Sequence, residues 1–416
     1  MNIREARVPL LLLVVVALFQ LVTLLLSLGN LNDMHIFRDA ASALLEGRNI
    51  FLERYRDGYA YYYGVPFALL LGAFNAFPLW TMQLLWGLLQ LALLVRMHVL
   101  LERWTGVALL PLRHRSWVHA AVALLSLQAV RDNLNAAQST ILLCWCCMEV
   151  LHQALRGRAT FAALLLAAGI DLKLLPLVMV PYLAYRSEWR TLLRVPLFLV
   201  LMGALPIPFI GSTLQQELLR TRWALLDPAQ QQHQLDDEEP DFVSLGSVVS
   251  AYFGDSTVND HGVPLARRVL SLEPAALSLP LLAARLILVL SMLWFLRTPP
   301  FRPAPSEAHR AWEVGYLLAC VPLIFPHQQN YSVLFALPLL FHLCASLIAH
   351  GRPTRPAMIA ALFVLLGFNA HLLLGEYGWV FDHYKVLSLT LLMAMLWSAF
   401  LGPASAAPPV PAASPR

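Results

Sequence analysis

Residues 9–28 contain no charged side chain. An α-helix rises about 1.5 Å per residue, so roughly 20 apolar residues cross the hydrocarbon core of a bilayer. Comparable runs recur as far as residue 402, in a chain of 416 residues that is 59% hydrophobic and only 13% charged. A mean hydropathy of +0.64 lies beyond a water-soluble domain. A helix satisfies its own backbone in lipid, so the expected fold is all-α, a polytopic membrane bundle. The first run is long and no small-residue cleavage site follows it, so no cleavable signal peptide is expected. Cys144, Cys146 and Cys147 lie inside one apolar run, where packing is the simpler role. The net charge of +4 is spread over loops and gives no reason to expect a nucleic-acid partner.

Arginine placement orients the chain. Arg4 and Arg7 precede the first span, which puts the N-terminus in the cytoplasm by the positive-inside rule. Residues 29–62 then lie outside, with a short surface helix at 40–47 ended by Gly47, and a tyrosine belt from Tyr55 to Tyr63. Residues 64–78 are short, hold Pro66 and read as re-entrant. Arg103, Arg113 and Arg115 mark the next inner loop. Spans follow at 116–131 and 139–155. Two short runs at 159–170 and 174–185 flank Asp171-Leu172-Lys173, a turning point at membrane depth or in an outward cavity. Residues 195–210 span again, and 211–275 form a long outer loop with the acidic run Asp236-Asp237-Glu238-Glu239. Five further runs lie between 276 and 402. The expectation is about 11 spans plus re-entrant pieces: an integral membrane domain over 1–402, then a Pro/Ala-rich, disordered cytoplasmic tail over 403–416. The Ala-, Leu- and Arg-rich composition points to a bacterial inner membrane.

In this topology the polar groups gather on the outer face. Asp33, His35, Arg38 and Asp39 follow the first span directly; Asn135 and Gln138, then Lys173, then Arg220 and Arg222, then His327, Gln328, Gln329 and Asn330 come later. A lysine at membrane depth costs roughly 2.5–3.5 kcal/mol and needs an offset. Lys173 either pairs with Asp171, snorkels to the surface, or serves as a point charge for a lipid-linked phosphate. Asp33 is either a helix N-cap or a base for an attacking hydroxyl. Asp39, six residues on, would diverge from it on a continuous helix. His327 is either a satisfied interface histidine or part of a patch of donors and acceptors for hydroxyl-rich ligands. No metal-ligand spacing, Walker loop or dinucleotide fingerprint occurs.

In order, these clusters resemble glycosyltransferase family 87. Asp33 with Phe37 matches its Asp-x-x-x-aromatic step, and Leu44, Gly47, Ile50 and Phe51 match the step that follows. Tyr61 to Pro66, Asn135 with Gln138, Lys173-Leu174-Leu175-Pro176, and Pro326-His327 with Tyr331 match the later ones. The resemblance implies a fold of the GT-C class, with the catalytic loop after span one. It implies inverting transfer of a hexose, often mannose, from a polyprenyl-phosphate donor to a glycan or lipid acceptor on the outer face. It makes Asp33 the base and Lys173 a phosphate contact. On the residues alone, Arg38 either faces a phosphate or pairs with Asp39, and Arg220 is a further candidate phosphate contact. His327, Gln328, Asn135, Gln138, Tyr62 and Asp39 would hold the sugar or acceptor. No cofactor is implied, and a divalent metal is not demanded. Two departures stand out: the family's Asn-Gly-Gln reads Asn135-Ala136-Ala137-Gln138, and paired histidines of some members appear as Gln329 and Asn330. A lipid-linked-sugar transporter and an inactive membrane relative are the alternatives.

Overall fold

The computed structural model describes residues 6–227, 230, 235–236, 239–254, 266–296, 298–349 and 354–403. Arg4, Asp237, Glu238, Arg297, Arg352 and nearly all of the C-terminal tail lie outside the described residues. Among the described residues every regular element is helical. The first eight α-helices carry the argument: α1 (Arg7–Ser27), α2 (Asp33–Leu45), α3 (Val65–Gly72), α4 (Leu79–Trp104), α5 (Leu112–Leu125), α6 (Leu127–Asn135), α7 (Thr140–Leu155) and α8 (Ala159–Leu172).

Five helices among the described residues are long and apolar enough to cross a membrane, or seven spans if each of two bent pairs counts as one. The larger figure of about eleven comes from apolar runs that the chain breaks into shorter pieces. Leu11, Leu18 and Leu26 on α1 are exposed, as are Leu197, Val200 and Phe209 farther on, and Leu282, Ile287 and Trp294 after those. Apolar surface this continuous needs lipid rather than water. Residues 330–348 are the reverse case, almost wholly buried at the centre of the bundle. There Gly315 admits the backbone of Pro338 and Leu339, the close approach that small residues allow between membrane helices.

Three local expectations are corrected. The surface helix begins at Asp33, not at 40, and ends with Gly47 in the left-handed region (φ 77°). Met34, Phe37, Ala41 and Leu44 recur at helical spacing and are buried, so one continuous stripe sets its length. Its N-cap is Asn32, whose side chain accepts Met34 N–H at 3.2 Å; Asp33 is the first helical residue instead. The span at 116–131 is two helices meeting at Ser126, and α6 then meets α7 at 116°. Finally, 211–275 is not simply a loop, since Ser212–Leu225 and Leu245–Phe253 are helices.

The α6–α7 turn is a helix C-cap made without glycine. Gln138 N–H donates to Asn133 O (2.9 Å) and Ala137 N–H to Leu134 O (3.2 Å), the paired bonds of a Schellman motif. Ala137 takes the left-handed position there, at φ 53°, where glycine is usual. The turn brings Gln138 round towards α2.

Two hydrophobic cores result. The larger runs through α4 to α8 and the C-terminal helices. The smaller packs α2, the tyrosine loop and α3, with Phe37 edge-on to Tyr63 at 4.7 Å. Leu172 packs against both. Far from this seam, Glu313 is fully buried and accepts from Arg186 Nε (2.9 Å) and Tyr182 OH (2.8 Å), with His309 Nε2 at 2.8 Å. Removing one member of a buried pair leaves an uncompensated charge. Glu313→Ala should therefore lower stability by about 3–5 kcal/mol, read as an earlier thermal transition in detergent; an unchanged transition would refute this role.

Candidate active site

Asp33 sits where the smaller core meets the α6–α7 turn. Its backbone N–H donates to Ala136 O (3.2 Å), which ties the start of α2 to that turn. Its carboxylate accepts a hydrogen bond from Gln138 Nε2. Gln138 Oε1 in turn accepts from Tyr63 OH at 3.0 Å. Trp86 of α4 holds the same turn by donating to Ala137 O (3.0 Å). Gln83, also on α4, fixes the α1–α2 link: its Oε1 accepts Gly29 N–H (2.7 Å) and its Nε2 donates to Asn30 O and to Asn32 Oδ1 (both 3.1 Å). Asp33 is thus positioned by three elements distant in sequence.

Lys173 follows α8 and stands over the ring of Tyr63, with Nζ 5.5 Å from its centroid. Its backbone N–H donates to Gly169 O (3.0 Å), and among the described residues its ammonium makes no hydrogen bond. The pairing with Asp171 does not occur. Asp171 accepts instead from Arg222 Nη1 at 3.1 Å, while Arg222 Nη2 donates to the Asp171 carbonyl. Residues two apart cannot share a helical face, and Arg222 arrives from another helix with two donors in a fork. The turn before Lys173 is also held by Gly64, whose N–H donates to Leu172 O (3.1 Å). A Cβ on Gly64 would overlap the Asp171 carbonyl. The tyrosine loop and the Lys173 turn are therefore locked together.

Burial raises the Asp33 carboxyl to about 6, against the pull of the Lys173 charge and the Gln138 hydrogen bond, with Glu239 adding to the rise. Such a group is mostly ionised at neutral pH yet basic enough to accept a proton. Glu239 in turn accepts from Gln329. Among the described residues no three His, Cys, Asp or Glu side chains converge as metal ligands do.

A second cluster lies on the 326–330 turn. The His327 ring stacks on Tyr62 (6.1 Å between centroids, 26° between planes), and the Phe242 ring meets it edge-on at 5.5 Å. His327 has φ 55°, a left-handed conformation that costs a non-glycine residue of order 1–3 kcal/mol. Its backbone N–H donates to Asp236 Oδ1 (2.8 Å), and Val243 N–H donates to Gln328 O (2.7 Å). These bonds hold the strained turn.

The other expected site residues divide. Asn135 ends α6, one residue before the carbonyl that receives Asp33 N–H, and its side chain makes no hydrogen bond among the described residues. Gln328 is buried and donates back to Pro326 O (2.9 Å), so its amide is already engaged. Arg38 turns towards α3, with Nη2 3.5 Å from Asn75 O, and Asp39 is exposed on the outer face of α2. Arg220 is exposed on Ser212–Leu225, whereas Arg222 of the same helix is buried against Asp171. Arg38, Asp39 and Arg220 thus do not join Asp33. Tyr63, Arg222, Asp236 and Glu239 carry roles that the sequence analysis did not assign to them. Only the tyrosine run and the acidic run marked their neighbourhoods.

The sequence model of glycosyltransferase family 87 matches residues 61–326, more than half of the chain. Asp33 lies well before the start of the match and His327 directly after its end; Gln138 and Tyr62, inside it, contact them. No curated protein matches the chain. The geometry makes one prediction about Asp33 itself. Its protonated C=O stretch, identified by loss in Asp33→Asn, should titrate near pH 6 by difference infrared spectroscopy. Gln138→Ala removes a donor that favours the charged form, so the midpoint should move up. A midpoint near the ordinary carboxylate range would contradict the burial argument.

Proposed function

The chain belongs to glycosyltransferase family 87 and is a multi-pass membrane glycosyltransferase, and we propose that it transfers a hexose, mannose first among candidates, from a polyprenyl-phosphate donor to a glycan or lipid acceptor. The reading places this reaction on the extracytoplasmic face of a bacterial inner membrane. What carries it is one juxtaposition: a carboxylate whose basicity is raised by burial, within the field of a lysine that stands over Tyr63 and whose ammonium makes no hydrogen bond among the described residues.

In the proposed reaction Asp33 takes the proton of the acceptor hydroxyl as its oxygen forms a bond to the anomeric carbon. The bond from that carbon to the phosphate oxygen breaks on the opposite face, and its electron pair leaves with the polyprenyl phosphate. Lys173 balances the charge that develops there. A phosphate is a good leaving group, so no general acid is required, and the scheme does not demand a divalent metal. Tyr62 and His327 supply an aromatic wall and a ring nitrogen for the sugar, and Asn135, whose side chain makes no hydrogen bond among the described residues, supplies an amide at the end of α6. Arg38, Arg220, Gln328 and Asp39 are not assigned direct contacts, because none joins Asp33.

The test is transfer of labelled mannose from polyprenyl-phosphate mannose by purified protein, with membrane lipid extract as the acceptor pool. Asp33→Asn should lower the transfer rate by about 10²- to 10⁴-fold while donor still binds. Lys173→Ala should weaken donor binding as well as turnover. Donor binding with no transfer in wild type, across several acceptor pools, would favour a transporter over an enzyme with this base.

A further inference from the structure

The helix Pro274–Leu296 carries one ionisable side chain, Arg285, eleven residues from either end. Eleven residues of helix rise roughly 16 Å, farther than an arginine stem reaches, so the guanidinium cannot snorkel to either interface. A charge at that depth is costly and is kept for a partner or a function. Its place on the helix is defined. Leu277, Leu281 and Leu288 are buried and Arg285 falls on their stripe, while Leu282, Leu286 and Ile287 beside it are exposed. At the start of the stripe Leu277 lies against Gly254, which closes Leu245–Phe253. Arg285 thus sits on the border between bundle and lipid.

Its donors are open. The side chain is partly exposed, Nε is buried with no hydrogen-bond partner, and among the described residues the guanidinium makes no hydrogen bond or ion pair. Asp236 lies within its electrostatic range. That carboxylate is held elsewhere: Oδ1 accepts His327 N–H (2.8 Å) and Oδ2 accepts from the Ser244 hydroxyl. Its field lowers the cost of the arginine without occupying the fork of N–H groups, which matches the oxygens of a phosphate.

We propose that Arg285 is a binding site for a lipid-borne phosphate, in addition to Lys173. An anion reaches this depth only on a molecule that partitions into the bilayer, and the exposed leucines beside Arg285 offer its tail an apolar surface. A polyprenyl phosphate and an anionic phospholipid share this chemistry. Asp236 also holds the His327 turn, so Arg285 flanks the candidate active site, where a polyprenyl-phosphate donor would enter from the membrane; that choice between the two lipids rests on the transfer reading.

The test uses purified protein in phosphatidylcholine nanodiscs, with polyprenyl phosphate or phosphatidylglycerol added. Phenylglyoxal labels accessible arginines, and mass spectrometry maps the labelling of Arg285. In wild type, labelling of Arg285 should fall when the bound phosphate covers it. Protection by polyprenyl phosphate alone identifies the carrier as the ligand, and protection by phosphatidylglycerol alone identifies the bilayer lipid. Arg285→Gln should weaken binding of the protecting lipid, read by native mass spectrometry, about tenfold or more, the loss of a charge-assisted hydrogen bond. Arg285→Lys keeps the charge and should recover part of it. Labelling unchanged by either lipid would overturn the proposal, as would wild-type binding in Arg285→Gln. The labelling needs no variant, so it decides the matter even if Arg285→Gln fails to fold. No transfer step is read: protection by polyprenyl phosphate in a protein that moves no sugar leaves this site standing, and the transfer reading is what fails.

Discussion

The site depends on one constraint: a half-buried carboxylate must be held by partners that do not neutralise it. Asp33 meets this with a neutral amide, Gln138, in hydrogen-bond contact and a cation, Lys173, acting through its field. A direct ion pair would engage the lysine and leave it no charge to offer elsewhere. Burial instead wins over both partners and lifts the carboxyl to about 6. Asp171, a few residues from Lys173, has the opposite arrangement: Arg222 grips it twice, and it serves structure. Two aspartates in similar surroundings thus diverge because one faces a fork of donors and the other faces an amide.

That arrangement fixes what the rest of the fold must do. The α6–α7 turn has to deliver Gln138 to the start of α2, and the Schellman cap with Ala137 in the left-handed region does so. The turn after α8 has to deliver Lys173 to the face of Tyr63, and the Gly64–Leu172 hydrogen bond sets that distance. In both places the backbone supplies the precision and an apolar core supplies the rigidity.

Much of this was legible in the sequence, and the failures have physical reasons. The charge-free run at 9–28 became a single helix because a long apolar stretch in lipid has little alternative. Asp33, Gln138 and Lys173 stood out because polar groups are rare in so apolar a chain, and the three do converge. Arg220 and Arg222 are two residues apart on one helix, so hydropathy could not say which faces inward; only the position of Asp171 decides. The break at Ser126 escaped because apolar composition continues across it. It is set by Asn369, whose Oδ1 accepts Gln128 N–H (3.0 Å) and whose Nδ2 donates to Leu124 O (3.1 Å), a partner 241 positions on from Gln128. The role of Asp236 was hidden in an acidic run that reads as solvated loop until the fold buries its first member.

The most direct measurement is the pH dependence of kcat/KM for sugar transfer, in wild type and in the residual activity of Lys173→Gln. The base must be ionised, so the rate should fall as pH drops below about 6 in wild type. Without the opposing cation the carboxyl is more basic, and the acid limb should move to higher pH. A rate flat through this range, or a limb that stays in place when Lys173 is neutralised, would contradict the claim that Asp33 acts as a buried base poised against that lysine.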